Sequence, residues 1–250
     1  MRLRSLNVLS LLVMLVVWEV ASWVAPLEIL PGPGATFRAF WSNLIQGQLL
    51  PNLAQTLKRV GIGFGLALVL GVFAGVAMGL RRVFEALLSY PVLILLSIPS
   101  LGYVILGVMW FGLTEFAGFF VIAAIGFPMV VINVNEGVKN VDKALIEMAR
   151  AYGAPNGKVI RDLVLPSIFP YVLAGCRYGI GVAWKIAIIA EMVGMSSGVG
   201  YMLQYNYALF RMDQVLAWIL VFTLVIILVD RGLWSQLEHR LMSWRPTIVE

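Results

Sequence analysis

The chain predicts an all-α polytopic membrane protein of about six transmembrane helices, and three observations carry that prediction. Of its 250 residues, 61% are hydrophobic and only 12% charged, whereas soluble domains run about 45–50% apolar and about 25% charged. Five or six stretches approach the run of ~20 apolar residues that a bilayer crossing requires. Between the fourth and fifth stands a polar island, Glu147 to Pro166, too charged to lie in lipid. No segment reads as a separate soluble unit, so residues 1–250 are expected to form one transmembrane domain.

The first span is expected from about Leu6 to Ala25; it carries Glu19 and follows Arg2 and Arg4. Those flanks are signal-like, but no small-residue cleavage site and soluble domain follow, so it reads as a retained helix. The second, Val60 to Leu80, is uncharged between Arg59 and Arg81. The third, about Ala86 to Leu113, contains Pro91 and Pro99. Proline removes a backbone donor, which lipid tolerates only where protein or water compensates, so this span is expected to be kinked or broken and to line an interior face. The fourth is Phe116 to Val134, the fifth Ile168 to Ala190, and the sixth about Gln214 to Val229. The stretches Pro26 to Leu50 and Glu191 to Asp213 read as turn-rich loops, from Leu30-Pro31-Gly32-Pro33-Gly34 and Ser196-Ser197-Gly198-Val199-Gly200.

Charge orients the bundle. Arg2, Arg4, Arg81, Arg82, Lys139, Lys143, Arg150, Lys158, Arg161, Arg231, Arg240 and Arg245 fall on one side, twelve of the eighteen Lys and Arg residues. Only Arg38, Lys58, Arg59 and Arg211 fall on the other. The positive-inside rule makes the richer side cytoplasmic, with both termini and the island; the Lys58-Arg59 pair runs against it. The net charge of +5 forms no dense basic run with interleaved aromatics, which argues against nucleic acid. The single cysteine, Cys176, and single histidine, His239, build no disulfide and no metal site between them.

Within the second span Gly63, Ala67, Gly71, Gly75 and Gly79 recur every four residues. Such a small-residue ridge lets helix backbones approach in lipid, either inside one subunit or between two. Charge inside a span is costly and suggests function by default. Lys185 either snorkels to the nearer surface or lines a pathway. Arg177, deeper, either lines an anion pathway or pairs with an acid such as Glu19 or Glu191.

In the island, Val141 to Tyr152 reads as a helix with Asp142 at its start. Gly153 ends it, because glycine takes the left-handed cap conformation without a Cβ penalty. Pro155 suits the first turn of a second short helix through about Arg161, after which Leu163, Leu165 and Pro166 lead back into the membrane.

The pattern Glu147-x-Ala149, three residues, Gly153, nine residues, Leu163-x-Leu165-Pro166 resembles the EAA loop of binding-protein-dependent ABC importer permeases. Met148 and Leu163 are mild departures from the usual alanine and isoleucine. Leu30-Pro31-Gly32-Pro33, Asn135-Glu136-Gly137-Val138, Ala190-Glu191-Met192, Gly198-Val199-Gly200-Tyr201 and Trp244-Arg245 extend the likeness along nearly the whole chain, toward the nitrate/sulfonate/taurine-type branch.

The resemblance implies a type I importer fold in a bacterial cytoplasmic (inner) membrane. It implies a coupling loop over about residues 136–166, in which Glu147, Ala149, Gly153, Ala154, Leu163, Leu165 and Pro166 seat on a cytoplasmic ABC ATPase. A second permease copy, forming a homodimer, and an extracytoplasmic solute-binding protein complete the implied assembly. Arg177, Lys185, Glu191 and Pro99 are the candidates for its translocation pathway. No cofactor is implied for this chain; ATP is bound by the partner. Accordingly, Gly153-Ala-Pro-Asn-Gly157-Lys158-Val159 has three residues where a Walker A loop needs four and ends in valine, so it cradles no phosphate. The competing reading is an ion-gradient-driven secondary transporter, but that class pairs broken spans in two halves, and the third span has no clear counterpart. An intramembrane hydrolase would need a nucleophile and base that the sequence lacks.

Overall fold

The computed structural model describes residues 2–26 and 29–234; His239, Trp244 and Arg245 lie outside the described residues. Every regular element among the described residues is helical. α1 (Arg2–Val24) leads to α2 (Pro33–Ile45), α3 (Leu49–Leu80), the pair α4 (Arg82–Ser97) and α5 (Ser100–Phe111), and α6 (Glu115–Lys139). The island follows as α7 (Lys143–Ala151) and α8 (Asn156–Val159), then a π turn (Ile160–Val164) enters α9 (Leu165–Gly194). α10 (Val199–Ala208), α11 (Met212–Leu228) and a second π turn (Val229–Trp234) finish the chain. By length and composition, α3, α6 and the α8–α9 rod can each cross a membrane, and α4–α5 are apolar enough to do so only if the bent pair is taken as one span. Two shorter apolar helices, Val8–Val24 and Met212–Leu228, account for the remaining stretches.

The small-residue ridge of α3 packs inside the subunit. A Cβ on Gly63 would meet Ile122 at 2.7 Å, one on Gly71 would meet Val130 at 2.7 Å, and one on Gly75 would meet Val134 at 2.7 Å. Gly79 faces Val138, and Gly126 faces Ala67. Both helices therefore step by four residues in the same direction: α3 and α6 run parallel, small residues seated against β-branched ones. α9 closes the core, with Val60, Phe64, Val130, Ile168, Ala183 and Trp184 in one buried cluster. Trp184 meets Phe222 of α11 edge-on, centroids 6.3 Å apart.

Several boundaries differ from expectation. Only Pro99 breaks the third span: α4 and α5 meet at 96°, and Ile98 is extended (φ −70°, ψ 126°), as crowding by a following proline favours. Tyr103 Oη spans the bend, donating to the Leu95 carbonyl at 2.7 Å, which satisfies an acceptor the end of α4 leaves over. Pro91 stays inside α4. The supposed loop Pro26 to Leu50 contains α2, because Pro33 takes the first helical position, where its missing N–H costs nothing. The supposed loop Glu191 to Asp213 contains the last turn of α9 and all of α10. α3 begins at Leu49, so Lys58 and Arg59 lie within a helix rather than in a loop.

Candidate functional site

The island keeps its expected start and corner. Asp142 caps α7, its Oδ1 accepting from the Ala144 N–H at 2.8 Å. At the other end the Ala154 N–H donates to the Ala149 carbonyl at 3.0 Å, and the Gly153 N–H donates to the Arg150 carbonyl at 2.9 Å. This paired closure needs a left-handed residue, and Gly153 supplies it at φ +76°. Leu145, Met148 and Tyr152 stand exposed along α7, Tyr152 at 88%. Glu147 and Gly153 are exposed, Ala149 and Ala154 half-buried. Ile146 turns the other way, onto the core.

The second half of the island is not the free short helix expected. α8, the π turn and α9 form a continuous helix, Asn156–Gly194. Leu163 therefore lies in the π turn, half-buried, while Leu165 and Pro166 open α9 and are exposed. With α6 reaching Lys139, the segment free of both long helices is 140–155. Behind α7 opens a cleft of about 760 Å³ lined by Arg81, Arg82, Lys139 and Arg150 among others, with Lys139 paired to Glu85.

The opposite end of the bundle carries a cluster that the sequence reading missed. Arg59 of α3 is 1% exposed, and its five N–H groups all have acceptors. Nη1 donates to Glu191 Oε1 at 2.8 Å and to the Ser197 carbonyl at 2.6 Å. Nη2 donates to Ser197 Oγ at 2.8 Å and to Glu115 Oε1. Nε donates to Glu115 Oε2 at 3.2 Å. Glu191, fully buried, takes Thr56 Oγ1 at 2.9 Å and the Gly200 N–H at 2.8 Å on its other oxygen. Thr56 Oγ1 accepts from the Val199 N–H at 2.9 Å, and Asn52 Oδ1 from the Gly198 N–H at 2.9 Å. Gly198, at φ +108°, leaves no room for a side chain, because Glu191 fills the place of its Cβ.

The signal for this cluster is legible in hindsight. Asn52, Thr56 and Arg59 fall at i, i+4 and i+7, one helical face, which runs on into Gly63 and the ridge. Bounding the span by its charges, so that it begins at Val60 after Arg59, cuts that face in two.

The intramembrane candidates separate. Glu191 sits in the buried cluster. Arg177 pairs with neither Glu19 nor Glu191; its Nε lies 3.5 Å from Asp230 Oδ1, with half of its side chain exposed. Glu19 instead accepts from Trp23 Nε1 at 3.1 Å. Lys185 is exposed on α9 with no ion pair among the described residues. At 1.5 Å per residue, it lies about 9 Å from Glu191 along the helix and Arg177 about 21 Å. Pro99 is exposed at the α4–α5 bend. No group of three or more His, Cys, Asp or Glu side chains among the described residues could hold a metal ion.

Comparison with known proteins places these features. Residues 67–233 match the family described as binding-protein-dependent transport system inner membrane component. A putative ABC transporter permease of Methanocaldococcus jannaschii is 36% identical over 236 residues, covering 92% of this chain and 88% of that one. A putative aliphatic sulfonates transport permease of Escherichia coli is 34% identical over 233 residues, with the same coverage. Among solved structures, an inward-facing MetNI methionine ABC transporter chain superposes with TM-score 0.63 at 20% identity, covering 75% of this chain and 93% of that one. The chain belongs to the binding-protein-dependent inner membrane component family and is a permease subunit of an ABC importer.

Proposed function

We propose that two copies of this chain form the pathway of an importer for a small anion of the sulfonate, taurine or nitrate type, driven by ATP hydrolysis on a separate subunit. The observation that carries the drive is α7: a capped helix in the segment between α6 and α9, with Leu145, Met148 and Tyr152 exposed. An apolar ridge on so short a helix fits a partner's groove. The tightly closed corner at Gly153 passes force to the helices on both sides. Glu147, Ala149, Gly153 and Ala154 lie at this contact, with Leu163, Leu165 and Pro166 at the entry into α9. In this reading the island end is cytoplasmic, both termini lie there, and a solute-binding protein meets the opposite end. The chain binds no nucleotide or metal of its own.

The pathway reading rests on α9. Lys185 and Arg177 are cations on exposed parts of a membrane-crossing helix, about 12 Å apart along it, Arg177 beside Asp230, and a cation within a span attracts an anion. The sulfonate-named relative supports the same substrate chemistry. Family membership leaves the ion-gradient alternative without support.

ATP-dependent uptake in liposomes, with this chain, its ATPase and its binding protein, tests the proposal. Glu147→Lys or Gly153→Asp is expected to abolish uptake and release the ATPase on co-purification. Normal assembly and transport by both variants would sink the docking assignment. Lys185→Ala is expected to reduce anion uptake about tenfold, equivalent to about 1.4 kcal/mol; an unchanged rate and substrate preference would remove Lys185 from the pathway.

A further inference from the structure

α6 and α9 both leave from the island, so a force applied at α7 has two outcomes. The helices spread apart, or they move together. Near the island they are closely packed, since a Cβ on Gly137 would meet Tyr171 at 2.7 Å and one on Gly175 would meet Asn133 at 3.0 Å. At the other end the connection is Arg59. Its guanidinium reaches Glu115 at the start of α6 and Glu191 near the end of α9 at once. The same side chain holds Ser197 through two bonds, and its helix holds the N–H groups of Gly198 and Val199.

The apolar seams hold these helices close, but each of their contacts is individually small. A buried ion cluster behaves differently: any slip leaves a charge or a donor unpaired at high cost. Buried ionic groups add little net stability compared with apolar packing, and their best-attested use is to fix register. The geometry points to Arg59 and Glu191 as positioning residues for transport. They make α3, α6 and α9 one lever, so that movement at α7 arrives undiminished at the segment Met195–Gly200 on the opposite face. This inference rests on the importer reading above. It adds that the substrate-side mouth is driven through this cluster, which touches neither ATPase nor solute.

The test uses the whole transporter in liposomes, with Arg59→Met and Glu191→Met combined so that neither charge is left alone. Glu115 lies at the rim, 37% exposed beside Lys58, and tolerates the loss. Two quantities are read: solute moved per ATP hydrolysed, and the ATP-dependent change in reactivity of Ser196→Cys toward a membrane-impermeant thiol reagent, in a Cys176→Ala background. Ser196 is exposed and Cys176 buried. The expected result is ATP hydrolysis within about twofold of the parent, solute per ATP down about tenfold, and loss of the thiol-reactivity change, as for a residue that carries coupling. An assembled double variant with unchanged coupling and an unchanged reactivity difference overturns the inference and leaves the cluster a structural tie. If the double variant does not assemble, Arg59→Lys decides: it keeps one charge pair but not the five-donor fork. Reduced solute per ATP at normal hydrolysis is expected, and an unchanged ratio refutes the lever. A parent transporter that shows no ATP-dependent uptake would instead remove the importer reading itself.

Discussion

A guanidinium has five N–H groups, and in Arg59 each meets an oxygen from a different direction. Thr56 is the next most constrained side chain, since its hydroxyl donates to Glu191 while accepting from Val199. Thr56→Val keeps the shape and removes both bonds. It is expected to destabilise by about 1–3 kcal/mol, the cost of a buried donor and acceptor left short of partners, read as a lower melting temperature in detergent. No loss of stability would show that water fills the gap. Gly153→Ala meets no neighbouring atom, so its cost is the left-handed backbone alone, about 1–2 kcal/mol. The two residues differ in legibility. Gly153 was readable because one glycine between a helix-forming run and a proline has few other uses. Arg59 was hidden because hydropathy treats a fully paired buried arginine and a solvated one alike, and its acceptors, Glu115, Glu191 and Ser197, are 56 to 138 residues away.

At the scale of elements, the parallel pair α3–α6 is the rigid part of the bundle. Close approach along its seam depends on Gly63, Gly71, Gly75 and Gly79 each lacking a Cβ. Gly75→Leu is expected to cost about 1–3 kcal/mol or more through overpacking, while Gly65→Leu, where a Cβ meets nothing within 4 Å, is expected to be nearly neutral. Thermal unfolding of the two purified variants checks the contrast; equal loss would remove the seam from the packing account. The four-residue period made this helix face legible in the sequence, but not its partner, because a small-residue ridge fits another subunit as well as its own. The helices α2 and α10 were illegible for a different reason. Each begins beside a glycine–proline or serine–glycine cluster that reads as a turn, and α2 is held by a contact distant in sequence, Asn43 Nδ2 donating to Gln214 Oε1 of α11 at 2.8 Å.

For the molecule as a whole, the apolar stretches and the polar island were available from composition and spacing, because a bilayer imposes lengths that a sequence displays directly, and the family likeness came from the motif around Glu147, Gly153 and Pro166. What ties the crossings together was not available, since it lies in pairings between distant residues. The rod Asn156–Gly194 shows what such a whole-molecule feature commits the chain to. Its 39 residues extend about 58 Å at 1.5 Å each, longer than the ~30 Å hydrocarbon layer. The π turn at Ile160–Val164 holds one residue more than an α-helical turn would. That surplus is taken up inside the turn, so the helix on either side keeps its angular phase. Deleting one residue there would let the helix close as a plain α-helix with its phase nearly unchanged, whereas deleting one from the plain helix of α9 would swing Asn156–Val159, with the corner at Gly153, about 100° around the rod. The ridge of Leu145, Met148 and Tyr152 would then face a different quarter of the compass while every side chain kept its identity. Deleting one residue between 171 and 175, in plain α-helix, should therefore abolish ATPase co-purification more completely than deleting one between 160 and 164.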